Sequence, residues 1–110
     1  MIKVTIYRKD DTIYAFELSG HAESVSEGED LVCAGVSAVT FGTVNAIEKL
    51  CEFEPSVEMA GKEGGYLRME LPEHLTDTIL EKTQLLLEGM LVSLETINLD
   101  YGQYMTISNK

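Results

Sequence analysis

Residues 31–45 contain no charged side chain, in a chain of 110 residues of which 25% are charged. A run this free of charge has to leave water, and it has two ways to do so. Spanning a bilayer takes roughly 20 apolar residues, and this run is shorter and broken by Gly35, Ser37, Thr40, Gly42, Thr43 and Asn45. It is therefore read as the buried central helix of a folded domain, covered on most sides, and no membrane association is expected. Asp30, just ahead of the run, has the side chain of an N-cap, and the helix should continue to about residue 51, with Glu48 and Lys49 at its solvated end. Part of the cover over so apolar a helix is open to a second copy of the chain.

The segments on either side alternate with the period of strands. Residues 2–8 place Ile2, Val4 and Ile6 on one face, and residues 12–19 place Tyr14, Phe16 and Leu18 on one face, with Lys9-Asp10-Asp11 as the turn. Residues 20–29 read as a polar loop, and Pro55 closes the helical region. A second hairpin is expected over residues 56–60 and 66–71, around Gly61-Lys62-Glu63-Gly64-Gly65, with Leu67, Met69 and Leu71 sharing a face. After Pro72, Ile79, Leu86, Met90, Leu94 and Ile97 recur at helical spacing, which predicts an amphipathic helix over 73–99 despite Gly89. Residues 104–108 form a last short strand. The fold class that follows is α+β in a single domain, residues 1–110. Its antiparallel sheet is built from two β-hairpins plus a C-terminal strand and is packed with two helices, in the order β-β-α-β-β-α-β.

A chain of this length removes roughly two-thirds of its unfolded surface from water, enough for a core without covalent staples. Its two cysteines cannot build the disulfide framework of a small secreted domain, so both thiols are expected free in a reducing compartment. The opening residues, Met1 to Arg8, alternate and meet charge at once, unlike a signal peptide, and the expected location is the cytoplasm. With only eight Lys and Arg against a net charge of −11, direct nucleic-acid binding is not expected. The same charge attracts a basic protein or peptide, or serves simply for solubility. Two histidines and two cysteines at unrelated spacings match no metal-ligand pattern, and neither a metal nor another cofactor is expected.

Against this background the pair His21 and Cys33 stands out. A thiol attacks as thiolate, and the surroundings that favour ionisation are a helix N-terminus, a histidine and nearby solvent. With Asp30 as cap, Cys33 falls at the third helical position, where amides lack intrahelical acceptors. These amides, that of Cys33 included, then suit the oxyanion formed when sulfur attacks a carbonyl. His21, in Gly20-His21-Ala22, is close enough along the chain to fold back, accept the thiol proton and return it to a leaving amine. The bland alternative is a small core cysteine and a surface histidine.

Cys51, near the end of the same helix, is read as structural, because the helix dipole disfavours a thiolate there. His74, after Pro72, is read as solvated. Asp30 has a second candidate role, orienting His21. Ser37, one turn after Cys33, either reaches the site or bonds back to its own helix. Gly20 and Gly28 bracket a loop that either closes on a substrate or is an ordinary connection. Three function classes fit these residues: a cysteine endopeptidase, a non-enzymatic acidic adaptor that binds basic proteins with Cys33 buried, and a thiol redox sensor. The last ranks lowest, because Cys51 lies roughly 27 Å further along an intact helix at 1.5 Å per residue, too far to form a disulfide with Cys33.

Gly20-His21-Ala22, then Gly28, then Asp30-Leu31-Val32-Cys33-Ala34-Gly35-Val36-Ser37 together resemble the ribosomal-processing cysteine protease (Prp) family. The resemblance continues through Phe41-Gly42-Thr43-Val44-Asn45-Ala46 and Met90-Leu91-Val92-Ser93-Leu94-Glu95-Thr96-Ile97, nearly the whole chain. It implies a cytoplasmic, homodimeric endopeptidase that removes a short N-terminal extension from a large-subunit ribosomal protein, cutting after an aromatic residue in a short apolar motif. The implied dyad is Cys33 as nucleophile and His21 as base and acid. Asp30, Ser37, Gly20, Gly28 and Ala34 are supporting candidates. The corresponding loop of the family is rich in glycine, whereas here only Gly28 stands inside it.

Overall fold

The structure is a computed structural model that describes residues 1–20, 27–60 and 65–110. Within them the order is β1 (Ile2–Lys9), β2 (Thr12–Ser19), α1 (Glu27–Cys51), β3 (Ser56–Ala60), β4 (Tyr66–Glu70), α2 (Asp77–Tyr101) and β5 (Met105–Asn109). The predicted α+β class and element order hold. One sheet of five strands runs β3-β4-β2-β1-β5. Both hairpins are antiparallel, β2 joins β4 antiparallel, and β5 adds to β1 in parallel, so the sheet is mixed.

This order dictates where the helices go. α1 connects β2 to β3 past β4, and α2 connects β4 to β5 past β2 and β1. The two crossovers travel in opposite directions from strands that themselves point in opposite directions. The right hand that such connections take therefore puts both helices on one face. There α1 contributes Val32, Val36, Val44, Ile47 and Cys51, α2 contributes Leu87, Met90, Leu91 and Leu94, and the sheet contributes Ile2, Val4, Ile6, Ile13, Phe16, Leu18, Leu67, Met69, Leu71 and Met105. Val57 and Met59 of β3 lie across from Met69 and Leu67, yet Met59 is 66% exposed, so the helical layer stops short of this edge.

Several sequence expectations shift. In β2 the inward positions are Ile13, Phe16 and Leu18, while Tyr14 is exposed. The register slips between Tyr7 and Arg8, so Arg8 faces Ile13 and one residue of β2 is left over. A bulge of this kind reverses the alternation beyond it. α2 begins at Asp77 rather than residue 73, because Thr76 caps it: the Thr76 hydroxyl accepts the Ile79 N–H at 3.3 Å. Its most buried side chains include Leu87 and Leu91, whereas Ile79, Leu86 and Ile97 are half-buried.

The largest difference concerns α1. It buries only the stripe through Val32, Val36, Thr40, Val44, Ile47 and Cys51. Leu31, Ala34, Ala38, Phe41, Gly42 and Asn45 face outward and are exposed, so the expected cover on most sides is missing among the described residues. By length and composition the helix is apolar enough to cross a membrane, but that stripe is committed to the core. The buried Thr40 hydroxyl is satisfied within the helix, donating to the carbonyl of Val36 at 2.9 Å. At the far end of the sheet Arg8 forks onto Glu88 of α2 with bonds of 2.9 and 2.8 Å, and Gln84 of α2 bonds both the N–H and the carbonyl of Ile13.

Candidate active site

The site is built where β2 ends and α1 begins. Gly20 follows β2 with φ +81° and donates its N–H to the Gly65 carbonyl at 3.0 Å. The carbonyl oxygen of Met1 comes so close that a Cβ at Gly20 would meet it at 2.3 Å. No other residue type fits this combination of backbone angle and space. The next residue in the chain from Met1, Ile2, donates its N–H to the carbonyl of Tyr104 at 2.9 Å, and the Tyr104 side chain lies against Gly28. Gly20 and Gly28 thus belong to one end of the sheet, tied together through Met1, Ile2 and Tyr104. Tyr104 stands just ahead of β5 rather than inside a strand, and no sequence pattern marked its contact with Gly28.

His21 lies outside the described residues, as do residues 22–26 and 61–64, so the expected turn of the second hairpin falls outside them too. The neighbour of His21, Gly20, is anchored at the same end of the sheet as the start of α1. Cys33 is on α1, half-buried and packed against the core. Cys51 is free like Cys33 but only 4% exposed, consistent with its structural reading. His74 is exposed.

Asp30 does not cap α1. The helix already runs from Glu27, so Asp30 is an exposed residue of its first turn, where a carboxylate still interacts favourably with the dipole. Residues 27–29, expected in the loop, are helical. The consequence reaches Cys33, which stands in the second turn with its amide committed to the carbonyl four residues back. That amide is not available to an oxyanion, and the dipole, which acts mainly on the first turn, does less for a thiolate there than the expected position would. The capping pattern misled because an acidic residue before an apolar run suits the first turn as well as the cap. Ser37, one turn on, is half-buried, and its carbonyl accepts the Thr40 hydroxyl at 3.3 Å. Ala34, beside Cys33, is exposed and presents only a methyl group.

Chemically, the arrangement offers one thiol within reach of solvent near a helix start, on a chain whose other described thiol is sealed. The first half of α1 is seated closely on the last turns of α2: a Cβ at Gly35 would make ordinary contact with Ile97 at 3.7 Å. Further along, a groove of about 450 Å³ between the helices is lined without any charge by residues including Ala38, Gly42, Ala46, Leu85, Gly89 and Ser93.

The sequence model of a family described as cysteine protease Prp matches residues 1–106. The ribosomal processing cysteine protease Prp of Bacillus subtilis (strain 168) is 50% identical over 109 residues, covering 98% of this chain and 96% of that protein. Among solved structures, the essential ribosomal processing protease Prp from S. aureus in complex with a substrate peptide superposes with a TM-score of 0.85. The identity is 36% and all of both chains is covered. The same S. aureus protease in complex with a covalently linked product peptide gives a TM-score of 0.84 at 35% identity, again over both whole chains.

Proposed function

Because this chain belongs to the cysteine protease Prp family and is a cysteine protease, we propose that it removes the N-terminal extension of a large-subunit ribosomal protein, with Cys33 as nucleophile and His21 as its base and acid. The observation that carries the assignment to Cys33 is the contrast between its half-buried thiol near the start of α1 and the sealed thiol of Cys51. The S. aureus relative solved with a covalently linked product peptide supports a reaction that passes through a covalent bond to the enzyme.

In this mechanism His21 takes the proton of Cys33, and the sulfur adds to the scissile carbonyl. Collapse of the tetrahedral intermediate breaks the C–N bond as His21 returns the proton to the leaving amine, which is the new N-terminus of the ribosomal protein. The extension remains on sulfur as a thioester. Water then attacks that carbonyl, His21 accepts its proton, and the extension leaves as a carboxylic acid while the thiol is restored. Each proton transfer in this sequence of steps runs through His21. Histidine replacement should therefore cost nearly the whole rate.

A basic ribosomal substrate suits the net charge of −11, which speeds encounter with it. A cytoplasmic location follows from such a substrate. The enzyme works as a homodimer, the second copy covering the apolar outer face of the helices around Leu31, Leu85, Val92 and Leu99. Incubating the purified chain with the extended ribosomal protein and reading the new N-terminus by mass spectrometry tests the function. A single cut by the parent chain and by Cys51→Ala, and none by Cys33→Ala, supports it; a cut that survives in Cys33→Ala overturns it.

A further inference from the structure

One side chain lies directly against the start of α1. Tyr104 bridges α2 and β5 with its backbone fixed on both sides, since its N–H donates to the Tyr101 carbonyl at 2.9 Å and its carbonyl accepts the Ile2 N–H at 2.9 Å. Its half-buried side chain packs against the core. It also lies directly across Gly28, where a Cβ would stand 2.6 Å from the hydroxyl oxygen and 2.8 and 2.9 Å from two ring carbons. Gly28 has no left-handed backbone angle, so the closeness of the ring, and not the conformation, is what excludes a side chain. Three atoms of one aromatic group within such distances mean that a methyl on Gly28 would force the ring, the helix turn or both to move. Gly28 and Cys33 belong to the same continuous helix, so what fixes its first turn also fixes the sulfur.

We propose that Tyr104 is a positioning residue for the reaction: its ring, seated on the bare backbone of Gly28, sets the first turn of α1 and through it the place of the Cys33 sulfur. This rests on the reading of Cys33 as nucleophile. Tyr104 joins the end of α2, the starts of β1 and β5, and α1 at a single point, which makes the nucleophile's position a property of the whole layer. A protease with so few residues has little else with which to hold a nucleophile still, and a displacement near 1 Å can cost about a hundredfold in rate.

The test compares Gly28→Ala, Tyr104→Ala and the double variant, using kcat and KM for cleavage of the extended ribosomal protein and, separately, the rate at which iodoacetamide alkylates Cys33. Gly28→Ala is expected to lower kcat by about tenfold to a hundredfold with KM little changed, and to alter the alkylation rate of Cys33 but not of Cys51. In the Tyr104→Ala background the added methyl meets vacated space, so Gly28→Ala should cost nothing further. Tyr104→Ala introduces no clash and should itself lower kcat with helical circular dichroism retained, which keeps the test open if Gly28→Ala does not fold. An unchanged kcat and alkylation rate in Tyr104→Ala, or the same loss from Gly28→Ala in both backgrounds, overturns the proposal. Cleavage persisting in Cys33→Ala would instead overturn the nucleophile assignment, while the alkylation rates would still report whether Tyr104 positions the thiol.

Discussion

Gly20 is where a single residue does most for the site, because the Met1 carbonyl occupies the space a side chain would need and φ is +81°. Gly20→Ala combines a strained backbone with a steric clash and should cost about 2 kcal/mol of stability, read from urea unfolding. It should also impair cleavage, since Gly20 is joined by a peptide bond to His21. On the outer face of the sheet the Tyr7 hydroxyl donates to Glu17 at 2.8 Å, and that bond, with the negative charge beside it, holds the phenol above its ordinary pKa. Arg68 lies over the Tyr7 ring, 5.0 Å from its centre, and bonds both Glu17 and Glu70, so one guanidinium serves two carboxylates. His21 and Cys33 could be singled out as candidates because a histidine between glycine and alanine, followed by a cysteine early in an apolar helix, suits nucleophilic chemistry, whereas the contact between Tyr104 and Gly28 comes from tertiary approach and has no local signature.

At the scale of elements, Thr76 determines where α2 starts, and Thr76→Ala should lower stability by about 1 kcal/mol in chemical denaturation without moving the site. The fork from Arg8 of β1 to Glu88 of α2 adds a pH dependence. Hydrogen bonding to Arg8, ahead of its charge, lowers the Glu88 pKa. A carboxylate depressed in the folded state contributes stability that is complete above its unfolded pKa, near 4.3, and is lost as pH falls through the lower folded value. Both side chains are partly exposed, so solvent screening keeps the contribution below about 1 kcal/mol. Thermal denaturation should show part of the stability below pH 4 disappear, and Glu88→Gln should flatten that part of the profile. Element order was readable because periods of two and 3.6 separate cleanly here. Two features were not readable. The bulge opposite Arg8 reverses the face of Ile13 and Tyr14 and depends on which strand pairs with which. The true start of α1 at Glu27 was hidden behind Asp30, a residue as suitable for the first turn as for the cap.

The whole molecule distributes its charge unevenly. With a net charge of −11 it still exposes large apolar side chains on the helices, Leu31 and Phe41 of α1 and Leu85, Val92 and Leu99 of α2, the last three recurring every seventh residue. Two strongly acidic copies associate at least electrostatic cost through the face poorest in acids, whereas a basic substrate is drawn to the acidic remainder. If this face joins the copies, Leu85→Glu should convert a dimer to a monomer in sedimentation equilibrium, since burying an unpaired carboxylate in each half of an apolar interface is prohibitive. Retention of the dimer by that variant would place the interface elsewhere. The chain's size also explains why the site depends on contacts between elements distant in sequence: one short helix start is braced by residues from both ends of the chain. The most direct test of the central claim is to stop the reaction with acid during turnover of the extended ribosomal protein and map the modified residue by mass spectrometry after digestion. The account predicts the acyl fragment of the extension on the sulfur of Cys33 and nowhere else; an adduct on Cys51, or complete cleavage by Cys33→Ala, would contradict it.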